Sequence, residues 1–156
     1  MLSLCFKKAK NHKGSALIEF ALVIPVFLTI LLATYELGLM LTIKNGLFRG
    51  LYMGSRIGIT GNGSPSLTVA VNNAINSNFR LFSAGTLGNL TVTINNYSSL
   101  TNLLANTSPT SGVGGTGVYV LYSASYTYNT ITPMLRPIFG NSVVITESIS
   151  VRNELY

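Results

Sequence analysis

The sequence predicts an α+β protein in which a long N-terminal transmembrane helix continues into a small head. The head is expected to hold a second helix and a three-stranded antiparallel sheet. Three observations carry this expectation. From Phe20 to Ile43 the chain reads "FALVIPVFLTILLATYELGLMLTI", with Glu36 its only charge, which is long enough to cross a hydrocarbon core as a helix. "SLTVAVNNAINSNFRLF", from Ser66, sets apolar residues at three- and four-residue steps. Three later stretches, 89–97, 118–129 and 142–155, alternate or are rich in β-branched and aromatic residues, as strands are.

The N-terminal segment comes first. Lys7, Lys8, Lys10 and Lys13 precede the apolar run, and no similar cluster follows it closely. The positive-inside preference therefore keeps the N-terminus cytoplasmic and exports the C-terminal part. A hydrophobic content of 47% with 9% charged residues is too apolar for an ordinary soluble domain of this length. Beyond the leader, six basic residues face four glutamates, so the net charge of +6 belongs to topology and not to a nucleic-acid surface. An ordinary secretory signal would have a shorter core and a small-x-small cleavage site before "YELGLML"; neither is seen. Cys5, in "LSLC", lacks the basic and apolar segments that precede a lipoprotein site.

Catalysis finds little support. Cys5 is the only cysteine, so no internal disulfide can form. His12 is the only histidine and there is no aspartate, so neither a His-Asp triad nor a His- or Cys-rich zinc site can be assembled. The expectation is a protein without enzymatic activity, cofactor or metal.

Lys13-Gly14 followed by "SALIEF" resembles the type IV prepilin processing site, in which a membrane peptidase cuts after Gly on the cytoplasmic side. "GSALIEFALVIPVFLTILLATYELG" is similar to the TadE-like family, minor pilins of the tight-adherence (Tad/Flp) system. The likeness rests on Gly14, Ser15, Glu19, Phe20, Pro25 and a second acid, Glu36; "YSASYTYNTITPML" and "SISVRNELY" resemble the family's closing strands. Residues 60–115 match nothing in it. The resemblance implies a pilin-like fold divided into a leader (1–14), a transmembrane and stalk helix (15–60) and an exported head (61–156). It also implies a bacterial inner-membrane location with a periplasmic head, and incorporation into a pilus. The implied partners are a prepilin peptidase, other minor pilins, the major Flp-type pilin and an inner-membrane platform driven by an ATPase.

Glu19 then acquires a physical role. Cleavage after Gly14 would create an α-amino group at Ser15, and a carboxylate four residues on can neutralise such a cation within or between subunits. In an apolar bundle an unpaired ion is strongly penalised and a paired one tolerated, so helix register can be selected by charge. Otherwise Glu19 lies at the headgroup level, where a charge is cheap. Glu36 lies about 25 Å further along the helix and about 100° around it. It is expected near the outer edge of the hydrocarbon, either in a contact of its own or solvated.

Beyond Ile43, Leu47, Phe48, Leu51, Tyr52 and Ile57 continue an amphipathic helix. Gly46, Gly50, Gly54 and Gly58 recur every four residues, a spacing that either lets another helix approach closely or simply weakens the helix, with the packing groove preferred. "TGNGSP" at 60–65 ends the helix. Ser66 is expected as the N-cap of the second, whose stripe is Leu67, Ala70, Val71, Ala74, Ile75 and Phe79. "TSPTSGVGGTG" at 107–117 reads as a loop, and "TPMLRPIFGN" carries prolines too frequent for helix or strand.

Tyr122, Tyr126 and Tyr128 share one strand face by parity, and Tyr119 the other. They are either an interface stripe or ordinary strand residues. The glycosylation-type tripeptides at Asn62, Asn89, Asn96 and Asn106 read, in a bacterial protein, as part of an ordinary Asn/Ser/Thr-rich exterior. Two functions follow from all this: a minor pilin acting in pilus assembly, or an uncleaved single-span anchor presenting a binding domain.

Overall fold

The computed structural model describes residues 12–59, 65–78 and 88–154. Lys7, Lys8 and Lys10, the stretch 60–64 expected to end the helix, and Phe79 lie outside the described residues. Helix α1 (His12–Ile59) runs unbroken through Pro25. Thr29 Oγ1 donates to the Pro25 carbonyl at 2.7 Å. Helix α2 (Pro65–Asn78) starts one residue before Ser66, so Ser66 sits inside the first turn and is not the cap. Proline suits that opening position, because its missing N–H has no intrahelical acceptor there.

The sheet has four strands, not three, in the order β2-β1-β3-β4. Strands β1 (Gly88–Tyr97), β3 (Tyr119–Asn129) and β4 (Ser142–Arg152) form the expected antiparallel meander, with Leu90 opposite Tyr126 and Tyr126 opposite Ile145. The addition is β2 (Thr110–Ser111), inside the expected loop, pairing with Asn95 and Asn96 of β1. Gly112 N–H donates to the Ile94 carbonyl (2.8 Å) and Asn96 Nδ2 to the Gly112 carbonyl (3.0 Å), which hold this short cover on the β1 edge. Between β1 and β2 lies a short helix, α3 (Leu100–Ala105), capped by the Ser99 hydroxyl.

The proline-rich link between β3 and β4 is also helical, contrary to expectation. A 3-10 turn, Pro133–Leu135, runs into a single helical turn, α4 (Arg136–Phe139). Both prolines fall in first turns, where a missing donor costs nothing.

The core forms where α1 lies along the inner face of the sheet. Ile43, Leu47 and Leu51, four residues apart, meet Val120, Tyr122, Ala124, Tyr126 and Tyr128 of β3, while Val71 and Ile75 enter from α2. All ten are fully buried. Ile43, expected in the membrane span, is therefore part of the head core. The sheet runs back along α1: Glu154 N–H reaches the Ile59 carbonyl at the distal end, and Ile131 N–H reaches Glu36 at the proximal end. The stretch of α1 left bare is Gly14–Tyr35, with Leu17, Phe20, Leu22, Val26, Phe27 and Ile30 all exposed. Its length is about 33 Å, close to the thickness of a hydrocarbon core.

Candidate functional site: the bare helix and its junction with the head

Gly14 and Ser15 lie on the exposed first turns of α1. A Cβ added at Gly14 would meet no atom within 4 Å, so packing within the chain sets no demand for glycine here. One turn on, the Ser15 hydroxyl donates to Glu19 Oε1 at 3.3 Å, and both side chains face outward. Phe20 and Pro25 are exposed on the same bare stretch.

Glu36 behaves differently. Its side chain is 1% exposed. One oxygen, Oε1, accepts from the Ile131 backbone N–H (2.8 Å) and from the Tyr128 hydroxyl (3.2 Å). The other, Oε2, is buried and has no hydrogen-bond partner among the described residues. The solvated position considered from the sequence is thus overturned: Glu36 is the first α1 residue that the head covers, and its carboxylate ties the base of β3 to the helix. Burial, followed by the neighbouring Glu36 charge, pushes the Tyr128 phenol up to about 12. The phenol therefore stays protonated and able to donate.

The glycine stripe divides between two neighbours. Gly50 and Gly54 face Ile75 of α2, and a Cβ at Gly54 would come within 2.7 Å of the Ile75 side chain. At Gly58 it would overlap the Tyr122 hydroxyl, with Val113 beside it. Gly46 is half-buried. The close approach is thus made by the chain's own second helix and strand β3.

Tyr122, Tyr126 and Tyr128 do share a face, but that face turns inward and all three are fully buried. They fill the core between sheet and helix, and the interface stripe considered from the sequence is corrected accordingly. The Tyr122 hydroxyl is buried with no partner among the described residues, and burial pushes its phenol up to about 12. Sequence reasoning missed Tyr128 and Ile131 as partners of Glu36. The available signal was an acid at the end of an apolar run together with a tyrosine at the base of a strand.

Among the described residues, no group of three or more His, Cys, Asp or Glu side chains could hold a metal ion. One helix there is long and apolar enough to cross a membrane.

Among the described residues, one apolar helix, bare for the thickness of a bilayer and carrying a small α+β head along its far half, gives a pilin-like fold. Residues 14–56 match the model of the TadE-like protein family. The matched segment contains Gly14, Glu19, Pro25 and Glu36, and stops short of α2 and the sheet. No curated protein and no solved structure matches the chain.

Proposed function

We propose that this protein is a minor pilin, or pseudopilin, trimmed after Gly14 by a prepilin peptidase and acting in assembly of a Tad/Flp-type adhesive pilus. The observation that carries the proposal is the family match over residues 14–56. It coincides with a helix whose first turns expose Gly14, Ser15 and Glu19 and leave them uncommitted to the head. In this reading the leader lysines hold the N-terminus in the cytoplasm and the head is periplasmic. The partners are the peptidase, other minor pilins, the major Flp-type pilin and the inner-membrane platform.

Trimming would turn Ser15 into the terminal residue and place a cation one turn from the Glu19 carboxylate. An exposed acid on a membrane helix invites a partner of opposite charge, because a lone ion among packed apolar helices is costly. We expect Gly14→Leu to abolish trimming, seen as a larger species on an immunoblot of native cell membranes. Glu19→Ala should still be trimmed but should yield few or no pili by electron microscopy. Normal piliation of the Glu19→Ala strain would remove the charge-register mechanism.

A further inference from the structure

The link between β3 and β4 has an unusual surface. "ITPMLRPIFGN", residues 131–141, exposes Ile131, Met134 and Ile138, the last two at 60% and 72%, and its one charge is Arg136. Only Leu135 of this segment is buried. A connection facing water on all sides would carry polar turn residues instead.

Its height on the molecule is fixed. The Ile131 N–H bond to Glu36 Oε1 pins the start of the link to the point where the head first covers α1. The bare apolar stretch of α1 ends at that point. On the flank of α1 that the head leaves open, Leu37 and Leu41 remain exposed, and the next exposed charge on the helix is Lys44. Between Glu36 and Lys44 the helix rises about 12 Å, a distance comparable to the headgroup zone beyond the hydrocarbon. The start of the link is therefore level with the lower part of that zone, beside the end of the bare apolar stretch.

We propose that residues 131–139 form an interfacial membrane anchor, with Met134 and Ile138 in the headgroup–acyl boundary and Arg136 toward lipid phosphate. Apolar side chains with an adjacent cation suit that boundary, which receives apolar bodies and leaves charge at the polar level. The head is then seated on the bilayer at two points, the α1 exit and this link. The Glu36 bonds hold the two together. The inference needs the transmembrane helix but neither trimming nor pilus assembly, so it can fail or stand apart from the proposed function.

The chain contains no tryptophan, which permits a direct test. Met134→Trp and Ile138→Trp variants of the full chain would be reconstituted into phosphatidylcholine–phosphatidylglycerol vesicles. The control is Leu104→Trp on α3, 79% exposed, beyond the end of β1 where Tyr97 pairs with Tyr119, at the far end of the sheet. Emission from the two link probes should shift to shorter wavelength and be quenched by lipids brominated high on the acyl chain. The Leu104→Trp probe should show neither effect. Link emission matching the Leu104→Trp control overturns the anchor. So does a shift that appears only when a second pilin subunit is added, which would assign the patch to protein contact.

Discussion

Removing the Glu36 carboxylate would strand two donors. The Ile131 N–H and the Tyr128 hydroxyl both point at Oε1; only the Tyr128 bond is fully buried, and a buried donor without an acceptor costs about 1–3 kcal/mol. Glu36→Leu should therefore destabilise the head by about that amount in denaturant titrations in detergent, whereas Glu36→Gln, which keeps an acceptor oxygen, should cost less. Equal losses for the two would mean that the bonds contribute nothing. The buried phenols make a second prediction. Tyr122 and Tyr128 ionise in the fold at about 12 rather than the usual 10.0, so folding favours their neutral forms. That contribution is complete below pH 10.0 and is lost as pH rises toward about 12. Burial raises Tyr126 as well, so phenolate absorbance should show three of the eight tyrosines titrating late in the native head, with unfolding in the same window. Ionisation of all eight together near the ordinary value would contradict this.

At the scale of elements, α1 approaches β3 closely at Gly58. Gly58→Ala would drive a methyl group into Tyr122, whose ring carbon bearing the hydroxyl lies 2.9 Å from that position. Overpacking of this kind costs about 1–3 kcal/mol. Tyr122→Phe removes a hydroxyl that has no partner among the described residues, so it should be near neutral alone and should recover part of the Gly58→Ala loss. Additive losses in the double variant would deny that the two residues compete for space. The same elements show what the sequence makes legible. Long strands declare themselves by alternation, and β1, β3 and β4 fall close to the expected stretches. A two-residue strand such as β2 has no period to read. The prolines at 133 and 137 argue against helix by composition, yet each sits in a first turn where the argument does not apply. Parity groups Tyr122, Tyr126 and Tyr128 correctly, but a period of two cannot tell the inward face from the outward one. The same ignorance hid the partners of Glu36. They become visible only once the sheet is known to fold back along α1.

For the whole molecule, the division of α1 matters most. Its first half is bare and apolar, and its second half is the backbone of the head core. The Lys44–Glu147 pair at 3.4 Å adds a tie between α1 and β4, with Lys44 exposed and Glu147 partly buried, though a pair at the surface contributes little. Rigid attachment means that whatever orients the helix also orients the head. In the proposed pilin, Glu19 would set the helix against its neighbours, while Glu36 fixes the head to the same rod. A variant at Glu36 should thus impair the head without affecting trimming, and a variant at Gly14 should do the reverse. The two classes separate in one immunoblot combined with protease sensitivity of the head. The central claim, that the working protein begins at Ser15, is tested most directly by the intact mass of the chain purified from its native membranes. A mass lacking residues 1–14 is the predicted result; a mature, functioning protein that retains Met1 and the four leader lysines would contradict it.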